Sequence, residues 1–202
     1  MDVILSKERI DVQDCHVLVI GFFEDERPLK GSSGWIDWRL NGMLSRFLIE
    51  KKLTGAWKET TLIPSQGRIL PSMILLFGLG KVQEYSYLRL RELSPYLLET
   101  LKKLGTSSVC FSLPHEKSTH VDCGKLAEVL IEGFADCLDL REYPFDEGWV
   151  KNQRLYFAEG EEHFFEILLG AQTAQSLLKE RIQIKILTPS EDPSVRSSKI
   201  QI

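Results

Sequence analysis

Apolar and polar positions alternate along the chain with two periods, and the switch between them sets the first expectations. Residues 16–23 (His-Val-Leu-Val-Ile-Gly-Phe-Phe) form a near-continuous apolar run. Such a run fits a strand covered on both faces. Residues 3–8, 60–63, 73–77, 108–113 and 155–158 read as further short strands, and 182–187 alternates in the manner of an edge strand. Between them the period lengthens to that of a helix. Ile36, Leu40, Met43, Leu44, Phe47 and Leu48 recur at spacings of three and four, which predicts one helix over about residues 35–52.

Ser94-Pro95 reads as a helix start, with Ser at the cap and Pro at the first helical position. That helix carries Leu97, Leu98, Leu101 and Leu104 and ends at Gly105. Residues 125–139 predict a helix with Ala127, Leu130, Ile131, Phe134 and Leu138 inward. Residues 161–179 predict another, with acidic residues at its positive end. Strands alternating with helices define an α/β layered fold with a mostly parallel or mixed sheet. One domain over 1–188 is expected. The tail 189–202 (Pro, Ser, Glu, Asp, Pro, Ser, Arg, Ser, Ser, Lys and onward) has little to bury and is expected to be mobile.

Composition narrows the function. Of 202 residues, 43% are hydrophobic and 27% charged, so a sizeable core is available. The net charge of −4 disfavours a general nucleic-acid binder, because phosphate-backbone binding relies on clustered Lys and Arg. No apolar stretch is long enough to span a bilayer, so no membrane partner is expected. The first residues show no basic segment followed by an apolar one, unlike a secretory signal. Cys15, Cys110, Cys123 and Cys137 are widely spaced. Buried free thiols in a reducing cytoplasm are the expectation.

Three ordered segments carry a resemblance. Residues 34–50 begin Gly-Trp-Ile-Asp-Trp-Arg-Leu-Asn-Gly after a polar loop. Residues 53–64 contain Gly55, Glu59 and Thr60 in a pattern close to F-x-G-K-x-G-E-T. Residues 74–81 form a strand ending in Gly78-Leu79-Gly80-Lys81. Downstream, residues 132–143 run to Tyr143. In order and spacing this set resembles the N-terminal, non-catalytic domain of the leucyl (cytosol) aminopeptidase family. The resemblance implies a macro-domain-like, three-layer α/β/α fold with a mixed, mostly parallel sheet. It also implies a stand-alone domain, because that family places catalysis in a C-terminal, two-metal domain. That domain's Asp-Lys-Gly…Asp-Ser-Gly-Gly and Asn-Thr-Asp-Ala-Glu-Gly-Arg segments do not occur in this sequence. A two-metal hydrolase needs several carboxylates converging on its ions. No enzyme activity, catalytic residue, cofactor or metal is therefore expected.

Candidate binding features are few. Residues 30–34 (Lys-Gly-Ser-Ser-Gly) open a helix after an apolar strand. Gly31, Ser32, Ser33 and Gly34 there could hold a phosphate on backbone N–H groups. Against this, Glu24, Asp25 and Glu26 lie just upstream; they read as a solvated acidic loop. Gly78 and Gly80 form a second glycine loop, read mainly as a tight strand exit. Trp35 and Trp38, one turn apart, face either a partner or the core. His115, His120, Asp122 and Cys123 cluster within nine residues, but their spacing matches no familiar zinc pattern and the segment reads as an exposed loop. The first expectation for function is a protein-interaction or self-association module. The alternative is a macro-domain-like binder of a nucleotide or phosphorylated compound. The least favoured is one half of a split aminopeptidase.

Overall fold

The computed structural model describes residues 1–115, 119–139, 148–149, 152–179 and 184–188. Its sheet runs through β1 (Asp2–Leu5), β2 (Val17–Phe22), β3 (Thr60–Pro64), β4 (Met73–Gly78), β5 (Ser108–Ser112), β6 (Arg154–Phe157) and β7 (Lys185–Leu187). The spatial order is β3-β4-β2-β5-β6-β1-β7. Every neighbouring pair is parallel except β3 with β4. A mixed, mostly parallel α/β sheet is thus what the alternation of periods predicted.

β2 shows why an unbroken apolar run suits this sheet. Side chains alternate between faces along a strand. Val17 and Val19 join one hydrophobic cluster, and Leu18 and Ile20 join the other. All four are at most 1% exposed. Each stabilises the fold by about 1.5–3 kcal/mol through burial. The first cluster holds α3 (Tyr87–Lys103), α4 (Cys123–Asp139) and α5 (Phe164–Leu177) against one face. The second holds α1 (Gly31–Arg39) and α2 (Met43–Ile49) against the other through Ile36, Leu40 and Leu44. The result is three layers. All four cysteines are buried and none is in a disulfide.

Two expectations about helices are corrected. The single helix over 35–52 is two, separated by Leu40, Asn41 and Gly42, with Asn41 and Gly42 in the left-handed region (φ 59° and 73°). The buried Asp37 at the end of the first feeds the second: its Oδ1 accepts from the backbone N–H of Leu44 at 2.8 Å and of Ser45 at 3.1 Å. The helix expected to start at Ser94-Pro95 instead starts at Tyr87, capped by Ser86, and contains Pro95 in its interior. Ser94 is wholly buried, its hydroxyl donating to the Leu90 carbonyl at 3.2 Å. The tail at 189–202 and the run 140–147 toward Tyr143 lie outside the described residues.

Candidate functional site

Ligands in open parallel sheets sit beyond the carboxyl ends of the strands, where consecutive connections leave in opposite directions. That point here is the β2/β5 border. From β2 the chain goes to α1 and on to β3 and β4; from β5 it goes to α4 and on to β6. A cleft of about 110 Å³ lies there. Its lining includes Gly21 at the end of β2, residues Gly31, Ser32 and Ser33 at the start of α1, and Leu113, Pro114 and His115 just past β5. The sequence-chosen loop therefore does reach the cleft, although this volume is below the roughly 300–1,000 Å³ of typical small-molecule sites.

Local chemistry explains the loop's shape. Gly31 takes φ +53°, and the Ser33 hydroxyl donates to the Lys30 carbonyl at 2.9 Å, closing the first turn. The Ser32 hydroxyl meets that of Ser112 at the end of β5. Gly34 is not among the cleft's lining residues: a Cβ there would come within 2.6 Å of the Leu29 carbonyl oxygen. The acidic loop is solvated at Glu24 and Asp25, as expected, but Glu26 folds inward. It lines the cleft, its side chain only 9% exposed, and pairs with Lys30 at 3.3 Å.

Gly78 and Gly80 are not among the cleft's lining residues. They pack under the turn that carries Gly55. A Cβ on Gly78 would stand 2.0 Å from the Ala56 carbonyl oxygen, and one on Gly55 would stand 2.6 Å from that of Phe23. The Gly80 N–H donates to the Gly55 carbonyl at 2.9 Å, and the Glu59 carboxylate accepts from Thr54 N–H at 3.0 Å and Gly55 N–H at 2.6 Å. The Gly55, Glu59 and Gly78 positions thus form one backbone lock. Trp35 and Trp38 divide the two readings between them. Their rings touch at 5.1 Å, Trp35 packs on the second core cluster beneath Arg9, and Trp38 is 67% exposed.

The segment read as an exposed loop, 115–123, needs correction, because among its described residues Thr119, Val121 and Cys123 are buried. Its four candidate residues do not all come together. His120 points to solvent and Asp122 caps α4, its Oδ1 accepting from Lys125 N–H at 2.7 Å. Instead His115 and Cys123 meet His163, whose backbone caps α5. One donor atom from each lies within 4.8 Å of the other two. Glu159, just after β6, stands 3.4 Å from His115 Nε2. The phenol of Tyr85 is fully buried nearby. Burial first, and then the negative charge of Glu159, push its pKa well above the ordinary value. It remains a donor, to the Pro114 carbonyl at 2.9 Å. His163 went unnoticed in the sequence because 48 residues separate it from His115; only the parallel pairing of β5 with β6 brings their following loops together.

The cytosol aminopeptidase family, N-terminal domain, matches residues 19–146, more than half the chain. The chain belongs to this family. Curated relatives agree. A "probable cytosol aminopeptidase" of Sulfurihydrogenibium sp. is 24% identical over 163 residues, covering 81% of this chain and 30% of the relative. That of Pseudomonas syringae pv. tomato is 30% identical over 122 residues, covering 60% and 24%. The match is confined to a part of such enzymes: the chain spans between 25% and 40% of the length of the first relatives it matches. Only the family's N-terminal domain, the one without the catalytic segments, is found.

Solved structures show the fold. A tomato leucine aminopeptidase mutant superposes with a TM-score of 0.60 at 16% identity, covering 88% of this chain and 37% of that one. A macrodomain mutant of Oceanobacillus iheyensis gives 0.60 at 14% identity, covering 89% and 93%. A Trypanosoma brucei macrodomain in complex with ADP-ribose gives 0.62 at 13% identity, covering 85% and 68%. The family resemblance and the macro-domain-like fold expected from the three sequence segments are therefore established. Among the described residues, no helix is long and apolar enough to cross a membrane.

Proposed function

We propose that the chain is a non-catalytic, protein-interacting member of its family, acting in the cytoplasm through the outer face of α5. The observation that carries this is that α5 shows large exposed apolar side chains on its outer side, beside the exposed polar Gln172 and Ser176. Phe164, Ile167, Ala171 and Ala174 face the core. On the opposite side Phe165, Leu169 and Leu177 are 73%, 67% and 63% exposed. A surface helix ordinarily turns a polar face outward, so large apolar side chains exposed there call for a covering partner. Phe165 and Leu169 stand one turn apart on one face. A second copy or another protein chain is the occupant this supports; exposed Trp38 offers a smaller, separate patch.

The test is light scattering over a concentration series, with pull-down from the native source, for the wild type and for the Phe165→Glu/Leu169→Glu pair. Association or capture that the double variant abolishes supports the reading. A strict monomer that captures nothing, or association unchanged in the double variant, defeats it. Peptidase activity is not part of this reading, since the family's metal-ligand segments are absent from the sequence.

A second reading rests on the cleft at the β2/β5 border, where the N-terminus of α1 offers backbone N–H groups to an anion. A small phosphorylated ligand would have to displace the Glu26–Lys30 pair, freeing Lys30 to meet it. Calorimetry with ADP-ribose and with inorganic phosphate tests this. Heat that is lost in Ser32→Ala/Ser33→Ala supports it, and silence at millimolar ligand removes it.

A further inference from the structure

His115 leaves β5, Cys123 opens α4 and His163 caps α5, so three separate elements converge on one point. Their donor atoms lie within 4.8 Å of one another, and the two imidazoles meet edge to face with centroids 4.8 Å apart. We propose that His115, Cys123 and His163 form a binding site for a divalent metal ion of the zinc class. The proposal is independent of both functional readings above.

Three observations favour a metal over a merely packed cluster. The donor set is one thiol and two imidazoles, the nitrogen and sulfur mixture that zinc prefers over carboxylate-rich sites. The burial is graded suitably: Cys123 is 2% exposed, while each histidine side chain keeps 15%, so an ion has an approach and its charge is shielded once bound. The outer shell is in place as well. Glu159 stands 3.4 Å from His115 Nε2; His163 has Glu166 3.4 Å from Nδ1 and Glu162 3.5 Å from Nε2, so an ion would replace one of these two carboxylates at the ring and leave the other to hold it. Ligating histidines ordinarily hand their second ring N–H to a carboxylate, which fixes the ring and raises its basicity. Zinc bonds of about 2.0–2.3 Å at tetrahedral angles bring donor atoms to roughly 3.5 Å. From separations of up to 4.8 Å, the donor atoms would have to close by about 1 Å to reach that spacing.

The competing use of the same residues is a thiol nucleophile at a helix N-terminus with a histidine base. It needs one histidine, and it needs the sulfur open to an electrophile. Cys123 is nearly sealed, and the second histidine would have no part. A bare ion fits where a molecule does not. Three protein ligands leave a fourth coordination position, and His115 also lines the cleft at the β2/β5 border, so a bound ion would adjoin that cleft. Binding displaces the thiol proton to solvent and leaves sulfur as the thiolate ligand.

The experiment uses the full chain after chelator treatment and desalting, titrated with Zn²⁺ alone and with Co²⁺ as a coloured substitute. The expected result is one metal per chain. Co²⁺ should give a near-ultraviolet thiolate-to-metal absorption that Zn²⁺ displaces. Cys123→Ser abolishes that absorption and lowers affinity by more than a hundredfold, as does His163→Gln for affinity. Glu159→Gln lowers it about 10- to 100-fold. His163→Gln sits at a helix cap on a part-exposed side chain, so it keeps the test open if Cys123→Ser does not fold. Absence of the thiolate absorption, or equal affinity in wild type and His163→Gln, overturns the proposal.

Discussion

Gly124 and Gly170 bring α4 and α5 together backbone to backbone. A Cβ built on Gly170 would stand 1.9 Å from the Gly124 carbonyl oxygen, and one on Gly124 would stand 2.3 Å from that of Glu166. No side chain intervenes, so the clash could not be relieved by a rotamer change. Gly170→Ala would gain helix propensity, by roughly 1 kcal/mol, yet must push the helices apart. The expected net outcome is a loss of about 1–3 kcal/mol. In a thermal melt that is a fall of roughly 2–4 °C per kcal/mol. A Tm equal to or above the wild type's would mean that the two helices do not pack this closely.

Asp37 joins α1 to α2 through its carboxylate, and only one of its oxygens takes both backbone N–H groups. Asp37→Asn keeps a carbonyl oxygen for that duty; Asp37→Ala does not. The alanine variant should lose about 1–2 kcal/mol in denaturant unfolding, the cost of a helix cap. The asparagine variant should lose clearly less. Equal losses would show that charge, not the directed acceptor, matters here.

Cys137 predicts a pH dependence. Burial, aided by the charge of Asp136, pushes its thiol pKa up to about 11 from an ordinary 9.0. Its Sγ donates to the Gly133 carbonyl at 2.9 Å. A raised folded-state pKa means the folded chain holds the proton that the unfolded chain gives up. The associated stability is therefore complete below about pH 8.5 and is lost as pH rises toward 11. Unfolding free energies of the wild type and Cys137→Ala, compared across that range, should converge by about 1–2 kcal/mol. A constant difference between them would contradict the shift.

Arg91 is expected to matter little. It bridges α3 to α4, its Nε donating to Asp136 at 2.8 Å and its Nη1 to Glu132 at 3.2 Å, but its side chain is 46% exposed. Exposed ion pairs contribute about 0–1 kcal/mol and are screened by salt. Arg91→Ala should shift the denaturation midpoint slightly at low salt and not measurably at high salt. A loss comparable to that of Gly170→Ala would assign this contact a structural weight its exposure denies.

The sequence exposed the sheet far better than the helix ends, for physical reasons. A strand buried on both faces, such as β2, writes its burial directly as an apolar run. The break between α1 and α2 is hidden because Leu40, Met43 and Leu44 keep a helical spacing across it; what breaks the helix is a local left-handed turn at Asn41 and Gly42. Pro95 misled because its fixed φ suits a helix start, whereas α3 tolerates it in the interior beside the buried Ser94. The glycine loop at 31–33 was visible as chemistry and reached a cleft. Gly78 served the backbone lock instead, and its partners in that lock, Gly55 and Glu59, were the residues that carried the family resemblance. The histidine and cysteine cluster was half legible: His115 and Cys123 stood out by proximity in sequence, and His163 did not, because strand pairing rather than spacing unites it with them.

The position of β1 has a consequence for how the molecule is made. Asp2 pairs with Arg154 on one side and Lys185 on the other, so β1 is seated between two strands that lie far along the sequence from it. At roughly 5–20 residues per second of synthesis, β1 leaves the ribosome many seconds before either neighbour exists. Until then its edges can only wait in solvent or pair wrongly. The region from β2 to β5 can assemble during translation, and the β6-β1-β7 edge can be added only once the residues of β6 and β7 have emerged. Long-range parallel pairing of this kind is slow, which makes the β1 edge the segment that chaperones, or other copies of the chain, would meet first.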